Sequence, residues 1–162
     1  MHSSLRKIVV LALITALNVA FARVFLLPVP FTNGNINLCD AGIVFVALLY
    51  GKKAGATVGA LSGFLLDLLG GYPQYLLFSL VIHGAQGAVV GAAFPQTKYR
   101  FFKILGLAVG VLVGGYFIAD SLLYGFLAGF FGIGTNLLQG LCGTSVGYFL
   151  YKRLKDRPGL KL

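Results

Sequence analysis

Residues 75–94 read YLLFSLVIHGAQGAVVGAAF. The stretch is almost wholly apolar and long enough to cross a bilayer, which takes roughly 20 helical residues. Near its middle stand His83 and Gln86, with Ser79 one turn earlier. Spacings of i, i+4 and i+7 put the three on one helical face. An imidazole and an amide turned toward lipid would be costly, so that face looks inward. It serves there either as interhelical glue or as part of a ligand site. The rest of the chain tips this balance.

The composition is that of a polytopic membrane protein. Of 162 residues 58% are hydrophobic and only 10% charged, and the mean hydropathy is +0.90. No soluble core of this length could hide so much apolar surface. A net charge of +9 would suit a nucleic-acid binder. The basic residues, however, lie in short clusters between apolar runs and not along one polar face, which argues against that class. Cys39 and Cys142 are far apart and form neither a CxxC nor a metal spacing, so both read as small apolar fillers. No metal or other cofactor is expected. Residues 1–27 show no small-x-small site opening onto a soluble domain and read as a retained first helix.

Six hydrophobic spans emerge: 5–27, 37–50, 54–69, 75–94, 102–125 and 130–154. The expectation is one all-α membrane bundle of six transmembrane helices over residues 1–162. The connection PVPFTNGNI at 28–36 holds prolines, asparagines and a glycine that favour turns over helix. Every Lys and Arg except Arg23 falls on one side of this arrangement. The positive-inside rule then places both termini in the cytoplasm.

Asp40, Asp67 and Asp120 fall instead in the outer halves of their spans. Tyr116, Asp120 and Tyr124 form an i, i+4, i+8 stripe in the outer half of the fifth. Asn136 and Gln139 lie toward the outer end of the sixth, and Asn18 and Arg23 in the same half of the first. Polar side chains from at least five helices thus converge on one depth and imply a small pocket opening outward. Asp67 suits two roles equally, partner to Arg23 or site residue. Aromatic faces, amides, one acid and one imidazole suit a small, planar, neutral or weakly basic heterocycle.

Gly55, Gly59 and Gly63 repeat every four residues, as do Gly106, Gly110 and Gly114, and both runs read as close helix packing. Ala12, Ala16 and Ala20 make an AxxxAxxxA stripe, with Asn18 about 200° round the helix from Ala16. One face of the first helix can turn inward while the alanines meet a neighbour, inside the bundle or on another protein. The sequence around Gly51-Lys52-Lys53 lacks the hydroxyl and first glycine of a P-loop, so the chain does not hydrolyse ATP itself. A small membrane enzyme using His83 and Asp120, or a ligand-free structural subunit, are the competing classes. Three scattered acids fit the enzyme poorly, and the convergent polar groups go unexplained in the scaffold.

The six short spans, the Ala12/Ala16 motif, the segment DAGIVFVALLYGKKAGATVGALSGFLLDLLGGYPQY and the FSLVIHGAQG after it resemble the S components of energy-coupling factor (ECF) vitamin transporters. The resemblance spans essentially the whole chain, and the subgroup most similar takes hydroxymethylpyrimidine- or pyridoxine-like compounds. It implies a membrane subunit that captures a vitamin or its precursor and reorients on a transmembrane T component with two cytoplasmic ATPases. It also implies a pocket on the last three helices, with His83, Gln86, Tyr116, Asp120, Asn136 and Gln139 in the corresponding places; Ser79 and Tyr124 join them as binding candidates from their helical faces. The loop after the first helix, with Phe31, Asn33 and Asn35, would be its lid, and Ala12, Ala16 and Ala20 the T-component interface.

Overall fold

A computed structural model describes residues 2–28, 35–92 and 98–160. The elements run α1 His2–Val24, β1 Leu27–Pro28, β2 Asn35–Ile36, α2 Cys39–Gly70, a 3-10 turn Pro73–Tyr75, α3 Leu76–Gly91, α4 Lys98–Tyr124, α5 Phe126–Leu154 and a 3-10 turn Pro158–Leu160. The fold is all-helical apart from one antiparallel pairing of two-residue strands, Leu27 with Ile36 and Pro28 with Asn35. Among the described residues four helices are long and apolar enough to cross a membrane: Leu5–Val24, Cys39–Gly70, Phe102–Tyr124 and Phe126–Leu154. Leu13, Phe21, Leu77, Val81, Leu107 and Phe131 lie exposed on the outside, whereas Asp40, Ser79, His83, Gln86 and Asp120 are buried. Apolar outside and polar within is the arrangement lipid demands.

The 32-residue α2 is not straight. At Gly51 the backbone takes φ 81 and ψ −171. In a straight helix Ala47 and Gly55 would stand about 12 Å apart. Here a Cβ on Gly55 would lie 2.5 Å from that of Ala47, so the chain folds back on itself. Gly125, at φ 93, joins α4 to α5 the same way. Positive φ at a residue without Cβ turns the chain in one step. Two connections expected from sequence are therefore corrected. The Gly51–Lys53 link shrinks to Gly51, with Lys52 and Lys53 already helical, and the Phe126–Gly129 region is the first turn of α5.

The first glycine run packs as its spacing implies. Side chains added at Gly55, Gly59 and Gly63 would strike the α3 backbone at Gly87, His83 and Ser79 in turn, so the second arm of α2 lies antiparallel on α3 at backbone contact. The second run does not. A Cβ at Gly106, Gly110 or Gly114 would meet nothing within 4 Å. It is Gly115, one position on, that faces Ile82. The four-residue spacing marks a smooth face, and α4 is rotated so that this face is left uncovered.

On α1, Thr15, Asn18, Val19 and Ala22 are buried, and the Asn18 amide donates 3.0 Å bonds to Cys39 O and Ser62 Oγ. Ala12, Ala16 and Ala20 are all exposed on the opposite face. Val44, Ala47 and Leu48 join Val90, Leu105 and Ala108 in one apolar core, and Val19, Ala22, Cys39, Ile43 and Leu66 form another. The site lies beside the latter.

Candidate functional site

The 3-10 turn before α3 sets the top of the site. It delivers Tyr75, and one turn apart from there come Ser79 and His83, one continuous face of α3. Tyr116 arrives from α4 and closes a chain of hydrogen bonds. Ser79 Oγ lies 2.7 Å from the Tyr116 hydroxyl, which lies 3.0 Å from His83 Nε2. On the far side of the ring, His83 Nδ1 is 3.2 Å from Gln86 Oε1. Amide oxygen only accepts, so the proton sits on Nδ1 and Nε2 accepts from Tyr116. The relay then runs from Ser79 through Tyr116 and His83 to Gln86.

Asp40, at the start of α2, completes the surroundings of His83. Its Oδ1 is 3.2 Å from Nδ1, yet among the described residues neither carboxylate oxygen has a hydrogen bond of good geometry. The Cys39 Sγ lies 3.9 Å from Nε2. Donor atoms of Cys39, Asp40 and His83 all fall within 4.8 Å of one another, a buried trio that sequence spacing did not show. Asp40 approaches one ring nitrogen and Cys39 the other.

A second cluster stands higher. The Tyr75 hydroxyl donates to Asp120 Oδ1 at 2.5 Å, and its ring lies between those of Tyr116 and Tyr124, with centroids 6.3 and 6.1 Å away. On α5, Gly132 leaves room for the Asp120 carboxylate, since a Cβ there would come within 2.8 Å of Oδ2. Gln139 Oε1 accepts the Asn37 amide N–H at 2.9 Å and so ties α5 to the segment entering α2.

These groups surround a cavity of about 50 Å³, room for a few waters. Six expected residues line it: Ser79, His83, Tyr116, Asp120, Asn136 and Gln139. Two stand off it. Gln86 is fully buried behind His83, and Tyr124 sits at the rim, 37% exposed, accepting a 3.0 Å bond from the Gln74 amide. Asp67 and Arg23 both line the cavity, and among the described residues no ion pair joins them. Among the described residues, Asp67 Oδ2 is buried without a hydrogen bond. Tyr75, Tyr72 and Asn37 also line it and were missed from sequence. Tyr75 had a signal, being four residues before Ser79 on the same stripe. Phe31 and Asn33 of the expected lid lie outside the described residues, and Asn35 is placed only by its backbone in β2.

An inward polar cavity in an apolar bundle is what a membrane receptor for a small solute requires. A family model described as ECF-type riboflavin transporter, S component, matches residues 2–156. The chain belongs to this family. Among relatives of the S component is a protein of Lactococcus lactis subsp. cremoris named thiamine precursor transporter HmpT. It is 39% identical over 98% of this chain and 93% of its own length. An uncharacterised protein of Pyrococcus woesei is 34% identical over 79% of this chain and 90% of its own. The S component is thus a multi-pass membrane subunit that binds substrate for an ECF transporter.

Proposed function

We propose that this S component captures a one-ring vitamin precursor, a hydroxymethylpyrimidine- or pyridoxine-like heterocycle, from outside the cell. It hands the ligand on by reorienting against a transmembrane T component driven by two ATPases. The observation that carries the reading is the cavity. Its tyrosines offer ring faces, Asn136 and Gln139 offer paired donors and acceptors, and Asp120 offers a carboxylate to a ring nitrogen. The name of the Lactococcus relative, a thiamine precursor transporter, supports that class. The two arms of α2, 39–50 and 52–70, act as separate spans, which with α1, α3, α4 and α5 gives six. The basic clusters put both termini in the cytoplasm.

Calorimetric titration of the purified chain with hydroxymethylpyrimidine and with pyridoxine tests this. One of the two should bind, and Asp120→Asn should weaken it by about 1–3 kcal/mol, the range for a hydrogen bond to a charged group. No heat with either compound would remove the substrate class, and an unchanged affinity in the variant would remove Asp120 from the site.

Ala12, Ala16 and Ala20 face away from the bundle and leave a smooth strip for the T component. Ala16→Trp should leave folding and ligand affinity unchanged, because the position is exposed, and abolish uptake in cells carrying the partner subunits. Loss of ligand binding together with uptake would place the strip inside the protein's own packing. Normal uptake would leave it facing lipid alone.

A further inference from the structure

Away from the cavity, an open groove of about 270 Å³ runs between α4 and α5, lined in part by Phe102, Gly106, Thr144 and Tyr148. No helix of this chain covers it among the described residues, since side chains built at Gly106 and Gly110 would meet nothing within 4 Å. Within it stands an orphan. Thr144 is 6% exposed, and among the described residues its hydroxyl has no hydrogen-bond partner. A helical threonine ordinarily donates to the carbonyl one turn back, as Thr15 and Thr57 do at 2.8 and 3.0 Å. A buried donor left open is costly, and an acceptor entering the groove removes that cost.

One end of the groove is cationic. The Phe102 and Tyr148 rings meet edge to face there at 6.2 Å, and Lys152 Nζ lies 5.7 Å from the Tyr148 centroid. Lys103 follows Phe102 and is exposed. Beyond Tyr148 the chain adds Arg153, Lys155 and Arg157 against Asp156 alone.

We propose that this groove seats one anionic phospholipid. An acyl chain lies along the bare glycine face, an ester carbonyl accepts from Thr144, and the phosphate faces Lys103 and Lys152. Slot, donor and cationic end match the three parts of that molecule in order. A transmembrane helix could also fill the slot; the Lys152 ammonium at its end, matched by a phosphate, favours the lipid. None of the residues around His83 is involved, so the inference stands apart from the substrate assignment.

The full chain, purified and stripped of lipid, is titrated with phosphatidylglycerol or phosphatidylcholine and read by native mass spectrometry and thermal unfolding. One copy of phosphatidylglycerol should be retained, at least tenfold more tightly than phosphatidylcholine, with a rise in Tm that follows its concentration. Lys103→Gln and Lys152→Gln should each weaken retention by about fivefold. Thr144→Val should leave the lipid-free protein as stable or more so, while reducing the rise in Tm that lipid brings. Gly106→Phe, placed in open space, should abolish retention. Equal retention of both lipids would mean ordinary boundary lipid and overturn the proposal. Undiminished retention in Gly106→Phe would put the lipid elsewhere. If that variant instead fails to assemble with the partner subunits while still holding lipid, the groove docks a helix and the proposal is wrong.

Discussion

Replacing His83 with alanine should destabilise the protein by about 3–5 kcal/mol, because it empties the place of a buried ring and leaves several buried polar groups unpaired. The reason lies less in the imidazole than in what it leaves behind. Asp40 is fully buried, and His83 Nδ1, 3.2 Å away, is the one cation-capable group recorded against its carboxylate among the described residues. Without the ring, that carboxylate faces apolar helix surface, Tyr116 loses its acceptor and Gln86 its donor. Thermal unfolding in detergent should register a fall in Tm on the order of 10 °C. The double variant Asp40→Asn/His83→Gln removes the stranded acid and should recover much of the loss. An unchanged Tm in His83→Ala, or no recovery in the double variant, would show that the two residues do not depend on one another.

Gly59→Ala is the other change with a large expected effect, and it adds a single methyl. That methyl would overlap His83 O and C, backbone atoms that cannot swing aside as a side chain can. The second arm of α2 and α3 must then separate along their length, at about 3 kcal/mol, the upper part of the ordinary range for overpacking. His83 sits at the contact point, so ligand affinity should fall with stability. Gly110→Ala is the matched control, because nothing lies within 4 Å of its Cβ. It should be neutral, or stabilising by up to ~1 kcal/mol through helix propensity. Equal Tm values for the two variants would deny the close approach of α2 to α3.

Much of this was legible in the chain. The Ser79–His83–Gln86 stripe announced an inward polar face because charge and amide are costly in lipid, and periodicity fixes which residues share a face. Asn18 likewise oriented α1. The pairing of Asp40 with His83 was not legible, since it joins residues on different helices and depends on how far each is rotated. Gly106, Gly110 and Gly114 misled for a related reason. A bare helix face is compatible with a neighbouring helix and with lipid alike, so spacing alone does not say which is present. Tyr75 was passed over although it heads the same stretch, one turn before Ser79 on its stripe. The reversal at residues 51–53 was legible as a link between two spans; that one residue, Gly51, makes it was not.

The contact of α2 on α3 has a consequence for how this lineage can change its cargo. Where backbone rests on backbone, at Gly55, Gly59 and Gly63, no mutation can enlarge a side chain without parting the helices, so that half of the receptor is closed to drift. Tyr116 and Asp120 stand on α4, whose own glycine face meets nothing. Asn136 and Gln139 enter from α5. New ligand preferences should therefore be written on those two helices, while the glycines of α2 and the relay residue His83 persist among descendants that carry different vitamins.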